Sequence, residues 1–281
     1  MRRHASTLMA IAVACLSAGP LHAQGRTPPT DTAALRGAPA LHTLIAAGRE
    51  ASDLRIVLLR FEADSGALTR RYDIPLSPVL HARMRAFYTG WQSRLDELNA
   101  TALNAAGRAD LAALRSRIAA RLDDVAAEER AFAEIAPLVP FARAIQQLQE
   151  RRRERADVDP VLAAQTLSDA VKEVRRATAA IRDAAGGRGA AELRGITAAV
   201  AARAADFLTG AENAPQRPGA GGFGAPPVAP TLQATLDSWH SFYNGYDPLF
   251  SWWTRKPYEE LVAALQTYSR AIRQEWRITT D

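Results

Sequence analysis

Cysteine and lysine are nearly missing from this chain of 281 residues: Cys15 is the only cysteine, and lysine occurs only at Lys172 and Lys256. A single cysteine closes no intramolecular disulfide and gives no cysteine-based zinc site. Histidine is scarce as well. The five are His4, His22, His42, His81 and His240, and no two stand four residues apart. The chain therefore has no H-E-x-x-H helix, which would set two imidazoles on one metal. No G-x-S-x-G elbow is present. The glycines Gly186, Gly187 and Gly189 lack a following Gly-Lys-Ser/Thr and a preceding strand, so they form no phosphate loop. Beyond the N-terminus, no stretch is long and apolar enough to span a membrane.

The charge balance is basic but diluted. The formal net charge is +5 and the sequence pI is about 9.8. Removing Arg2 and Arg3 with an export signal lowers the charge by two. The remaining cations are spread among acids, with no basic stripe interleaved with aromatics, which argues against nucleic-acid binding. Residues 1–23 read as a signal peptide: Arg2 and Arg3, then the apolar run Leu8 to Leu16, then Leu21-His22-Ala23 as the cleavage site. The mature protein is then expected to be exported, periplasmic or secreted, with no transmembrane span. Ala12-Val13-Ala14-Cys15 loosely resembles a lipoprotein box, and acylation of Cys15 would tether the protein. The alternative, Cys15 as part of the signal's apolar core, is preferred because Ala12 stands where leucine is usual.

What the chain does have is helix-forming sequence. It is 48% hydrophobic and rich in alanine and arginine, both strong helix formers. The expected fold is all-α: an irregular multi-helix bundle of long antiparallel helices, with a Gly/Pro-rich linker before a C-terminal aromatic helical hairpin. Residues 24–36, with paired prolines, read as a flexible lead-in, 37–209 as the bundle, 210–230 as the linker and 231–281 as the hairpin packing on the bundle.

The helices follow from three-and-four spacing. The first runs from about Ser52 to Tyr72, with Ile56, Leu59 and Tyr72 on or near its buried side and Leu58 and Phe61 widening the stripe. Ser77-Pro78 is a hydroxyl cap followed by a first-turn proline. It opens a helix burying Leu80, Met84, Phe87, Tyr88, Trp91 and Leu95. Asp110 to Ala136 turns Leu111, Leu114, Ile118, Leu122 and Val125 inward, until Pro137 and Pro140 break it. Phe141, Ile145 and Leu148 begin the next inward face, which closes on the cationic run Arg151 to Arg155. Asp159-Pro160 opens a helix to about Ala185 carrying Leu162, Leu167, Val171, Val174 and Ile181. A further helix covers about Ala190 to Leu208.

Aromatic residues are unevenly placed. Ten of the nineteen lie between Trp239 and Trp276, a density that marks either a core or a binding surface. Leu232, Leu236, Trp239, Phe242, Tyr243 and Tyr246 share a helix face. Asn244-Gly245 permits positive φ, and Pro248 bars Asp247 from the helical region, so the helix should end near Gly245. Asp247 can bond its own local backbone. A new helix is expected from about Pro257, burying Leu261, Leu265, Tyr268 and Ile272. Two readings stand. The segment is an aromatic helix-turn-helix core, or Tyr246, Asp247 and one or both of Trp252 and Trp253 line the wall of a cleft. His240, beside Trp239, is the one histidine in a setting of interest, as hydrogen-bonded structure or as a ligand contact. Acid doublets such as Asp123-Asp124, Glu128-Glu129 and Glu259-Glu260 point in different directions on a helix and read as solvated charge.

The wording FYNGYDPLFSWW, followed by KPYEEL and ALQTYSRAIRQE, resembles the bacterial domain-of-unknown-function family 885. DLRIVLLRFEADSGALTRRYDIPLSP from Asp53, FYTGW from Phe87 and APLVPFARAIQQLQERRR from Ala136 fit in the same order. The resemblance covers roughly residues 50 to 276. It implies an exported, mostly helical protein of zinc-peptidase type, with an H-E-x-x-H helix in a later half that this sequence does not contain. No catalytic residue carries over. Zinc is expected only for the full-length family, and no cofactor is expected for this chain.

The resemblance therefore implies the N-terminal helical half of a hydrolase-like protein, inactive alone and complemented by a separately encoded or missing catalytic half. The alternative is an exported, non-enzymatic helical module that binds peptide, protein or glycan through the aromatic hairpin.

Overall fold

The computed structural model describes residues 37–47, 52–185, 193, 195–211 and 231–278. Among these residues all the regular structure is helix, with no strand. The order is α1 (Leu41–Ala47), α2 (Arg55–Arg71), α3 (Pro78–Asp96), α4 (Ala105–Ile135), α5 (Ala142–Arg153), α6 (Pro160–Ala185), α7 (Ala198–Thr209), α8 (Leu232–Tyr243) and α9 (Pro248–Glu275). Short 3-10 turns at Ala100–Ala102 and Ala136–Leu138 flank α4. The expected signal peptide and lead-in, Cys15 and most of the expected Gly/Pro-rich linker lie outside the described residues.

Caps and prolines set the helix starts. The Ser77 hydroxyl accepts from the Val79 and Leu80 amides at the head of α3, a cap that contributes about 1 kcal/mol. Asn104 caps α4 through the Gly107 amide, and Thr231 caps α8 through the Ala234 amide. Asp159 and Asp247 stand before Pro160 and Pro248 and cap α6 and α9 in the same way. Each carboxylate oxygen accepts two amides, from Val161 and Leu162 in one case and from Leu249 and Phe250 in the other.

The helices build two apolar cores. The first joins α1 to α4 around Leu54, Phe61, Leu68, Phe87, Trp91, Leu114 and Ile118. The second joins α5 to α9 around Phe141, Leu167, Val174, Leu208, Trp239, Phe250, Leu265 and Tyr268. Helix α4 serves both: Val125 belongs to the first and Ile135 to the second. The division therefore falls near Pro137 and Pro140, where the ring-locked backbone ends α4. The aromatic hairpin is an integral part of the second core.

Polar contacts tie the halves together. The Ser77 hydroxyl donates to Glu150 Oε1 at 2.6 Å. Gln146 Nε2 donates to the Pro75 carbonyl at 2.9 Å, and Arg153 pairs with Asp73.

Helices α3 and α4 run antiparallel. Arg115 reaches the end of α3 at Leu95 and Asp96, while Arg85, near its start, pairs with Glu129 far along α4. The most extensive helix–helix face, between α6 and α9, is parallel instead. Arg175 pairs with Glu260 at 3.3 Å, and further along both helices Ile181 and Tyr268 line one cavity. Helices α5 and α8 are likewise parallel: Gln149 meets Ser238, and Arg152 lies over the Phe242 ring. The C-termini of α5 and α8 and the N-termini of α6 and α9 therefore gather at one end of the second core.

Three expectations are corrected. Helix α2 buries Val57, Phe61, Asp64, Ala67 and Leu68, with Ile56 and Tyr72 half-buried beside them, whereas Leu59 is exposed. Two neighbouring stripes of α2 both carry leucine, and the one facing Phe87 and Trp91 is buried. Leu162 is exposed in the first turn of α6 rather than inward. The last helix begins at Pro248, nine residues before the expected start, and carries Pro257 inside it.

Candidate functional site

The end of the second core is built by the α8–α9 turn. Helix α8 buries Leu232, Thr235, Leu236, Trp239 and His240, one face at three-and-four spacing. It stops where Asn244 turns extended and Gly245 takes φ +83°, a conformation that favours glycine. The Ser251 hydroxyl accepts the Gly245 amide at 2.9 Å, and Asp247 restarts the chain as α9.

Inside the turn the rings pack tightly. Trp239 is buried and meets Phe250 edge-on at 5.3 Å between centroids. Tyr243 packs on both Trp239 and Phe250. His240 is buried against Tyr258, whose hydroxyl donates to Asp237 Oδ1 at 2.8 Å. The phenol of Tyr258 is pushed up to about 12, by burial first and then by Asp237. His240 Nε2 is buried with no hydrogen-bond partner. Burial lowers its pKa from the ordinary value, which suits a neutral imidazole.

Outside the turn the picture reverses. Tyr246 is 90% exposed, Trp252 71% and Trp253 41%. The two tryptophans stand edge-to-face, 4.8 Å between centroids. Phe242 and Leu249 are exposed beside them in sequence. At the same end Val161 and Leu162 are exposed in the first turn of α6. Of the five residues singled out in the sequence, the structure puts Tyr246, Trp252 and Trp253 on this surface. It uses Asp247 as a cap and encloses His240 beneath.

A cavity of about 480 Å³ opens at this end, lined by Leu148, Arg151, Arg152, Leu162, Trp239 and Tyr243 among others. Tyr246, Trp252 and Trp253 stand outside it. Arg152 lies 4.7 Å from the centre of the Phe242 ring, a cation–π contact. Burial, and then the neighbouring Arg153, lowers the pKa of Arg152 from its ordinary value. Burial raises Tyr243, offset in part by Arg152 and Arg151. Arg152 belongs to the cationic run Arg151 to Arg155, whose sequence allows a solvated face or a contact to an absent domain or acidic substrate; Leu162 and Tyr243 are cavity-lining residues that the sequence did not single out. The repeated wording Asp159-Pro160-Val161-Leu162 and Asp247-Pro248-Leu249-Phe250 was the available signal, since both start helices at this one end.

Compared with models of protein families, with curated proteins and with solved structures, the chain matches none.

Elsewhere, an open groove of about 530 Å³ lies between α3 and α4 and is lined by His81, Arg85, Glu129 and Phe132. The buried His81 has Nε2 3.4 Å from Glu128 Oε2, without hydrogen-bond geometry. Among the described residues, no three His, Cys, Asp or Glu side chains gather where they could hold a metal ion. No described helix is long and apolar enough to cross a membrane.

Proposed function

We propose that this chain is a non-catalytic helical docking module of an exported protein, of the kind that makes up the helical half of proteins resembling the domain-of-unknown-function family 885. Its contact surface is the aromatic end of the second core. A peptide-like or protein ligand is the natural first candidate for that surface.

The observation that carries this reading is where the large apolar side chains are left in water. Phe242, Tyr246, Leu249, Trp252 and Trp253 are all exposed within one turn and the residues flanking it. Fully burying such a side chain is worth roughly 1.5–3 kcal/mol, so leaving several exposed together forfeits much of that gain. Single exposed apolar residues such as Leu59 and Val79 need no explanation, whereas a grouped set marks a contact site. Hydrolysis is not assigned to these residues, because the sequence given lacks the H-E-x-x-H pair that would activate water.

The test is a photoactivatable side chain placed at position 252 and, as a control, at position 59 on the other core. In an exporting bacterial host, a discrete adduct is expected at 252 and none at 59. Equal yields at both positions, or none at 252, overturn the docking reading. Chelator-sensitive peptide hydrolysis by the purified chain overturns the non-catalytic part.

A further inference from the structure

We propose that Asn244 is a site of spontaneous covalent modification, in which its side chain loses ammonia to the Gly245 amide, and that the Ser251 hydroxyl sets the rate by holding that amide away. The inference does not depend on what binds the aromatic end.

The chemistry begins in the sequence. Of the four asparagines, Asn99, Asn104, Asn213 and Asn244, only Asn244 precedes glycine. Asparagine is a thermolabile residue, because the amide nitrogen of the next residue can attack its side-chain carbonyl carbon. Glycine has no Cβ to crowd that nitrogen, and its backbone turns freely. Asn244 and Gly245 are both exposed, and open space stands where a side chain at Gly245 would be.

The steps balance without an added reagent other than water. The Gly245 nitrogen bonds to Cγ of Asn244, the Cγ–Nδ2 bond breaks, and Nδ2 leaves as ammonia with the proton that the attacking nitrogen gives up. The product is a five-membered succinimide. Water then opens the ring at either carbonyl. Cleavage of the new N–Cγ bond leaves aspartate. Cleavage at the backbone carbonyl of residue 244 leaves isoaspartate, in which the chain runs through Cβ and Cγ.

The fold opposes the first step. Ring closure needs the Gly245 nitrogen nearly eclipsed with Cβ of Asn244. At the observed ψ of 127° the nitrogen is turned well away. Rotating it inward carries the rest of the turn along, so the bonds from the Tyr246 and Asp247 amides to the Tyr243 carbonyl are lost. The Gly245 amide itself donates to a side chain, Ser251 Oγ, at 2.9 Å. Ser251 stands in the first turn of α9, which Asp247 caps. The nitrogen that must attack is thus restrained by one hydroxyl from the following helix.

The products change the turn. A carboxylate at position 244 lies at the C-terminal end of α8, where the helix dipole disfavours negative charge. Isoaspartate lengthens the backbone just before Gly245, whose φ is +83°, and so alters the path that presents Tyr246.

The experiment is incubation of the full chain in mildly alkaline buffer, folded and in urea, followed by peptide mass mapping. Asn244 is expected to convert ahead of the other asparagines in both states, about tenfold or more slowly in the folded chain, where the turn must open first. Ser251→Ala is expected to raise the folded rate about fivefold, the ratio that the net worth of one hydrogen bond implies. Ser251→Thr keeps the hydroxyl and should hold the original rate. Ser251→Val, of the same shape without the hydroxyl, should match Ser251→Ala. Asn244→Gln should abolish the signal at that position. Far-ultraviolet circular dichroism checks that each variant is folded.

Equal rates in the folded and urea-unfolded chain overturn the proposal. So does another asparagine converting first. If the folded alanine and valine variants convert no faster than the unaltered chain, Ser251 is not the restraint and the proposal falls.

Discussion

The imidazole of His240 lies flat on the phenol ring of Tyr258, with 3.8 Å between centroids and 5° between planes. The contact joins α8 to α9 beneath the exposed tryptophans. Burial lowers the pKa of His240 below its ordinary 6.5, while Asp237 and Glu259 pull the other way. The folded chain therefore resists a proton that the unfolded chain accepts. The stability difference is absent well above pH 6.5. It grows as the unfolded state takes up the proton, and levels off below the folded value. Urea unfolding is thus expected to show stability falling as pH drops from 7 toward 5. His240→Phe should flatten that slope. At pH 7 it should change stability by less than about 1 kcal/mol, since it removes a buried nitrogen that has no partner. A slope unchanged in the variant would place the titrating group elsewhere.

Helix α9 runs through Pro257. Proline has no amide to offer the Trp253 carbonyl four residues back, and it is about 3 kcal/mol less favourable than alanine in a helix interior. Pro257→Ala restores the missing donor. The expected outcome is a gain of about 1–3 kcal/mol, read as a higher urea midpoint at unchanged slope. No gain would mean that the ring's own packing already offsets the lost hydrogen bond.

This proline also shows where the sequence was legible and where it was not. Capping chemistry is local, so Ser77, Asp159 and the stop near Gly245 could be read from their neighbours, and so could the inward faces of α3 and α4. Pro257 looked like a helix start because Asp247-Pro248, a stronger cap, was read only as a turn. Leu59 and Leu162 had helical spacing but faced water, because the stripe that is buried depends on the partner helix. The same limit applied to the site. Trp252 and Trp253 were visible as candidates from composition. Arg152 and Leu162 line one cavity at that end only because α5 runs parallel to α8 and α6 to α9, a matter of long-range packing that periodicity does not encode.

Tyr268 is fully buried in α9, and its hydroxyl donates to the Leu138 carbonyl at 2.6 Å. That carbonyl belongs to the 3-10 turn that follows α4. The phenol therefore pins the junction between the two cores to the longest face of the second. Burial holds its pKa well above the ordinary value, so the phenol keeps its proton and can donate at neutral pH. Tyr268→Phe keeps the ring against Phe141 and leaves the carbonyl unpaired. The expected cost is about 1–3 kcal/mol, measured by chemical denaturation. A cost near zero would show that water or a shifted amide replaces the hydroxyl.

The two cores meet mainly through α4 and a few polar contacts, Ser77 with Glu150, Gln146 with the Pro75 carbonyl and Arg153 with Asp73. Such contacts hold orientation, but each contributes only about 1 kcal/mol net. Apolar packing within each core stabilises far more, so damage to one core should stay largely within it. Leu114 and Leu265 are both fully buried, one in each core. Truncating either to alanine costs about 2–5 kcal/mol. Hydrogen exchange is expected to speed up in α6 and α9 with Leu265→Ala while α2 and α3 keep their protection, and Leu114→Ala should do the reverse. The amides of α4 decide the matter, because that helix lies in both cores. Faster exchange in its last turns with Leu265→Ala, and in its middle with Leu114→Ala, fits two units sharing one helix. Uniform acceleration along the whole chain with either change would mean that the halves unfold as one.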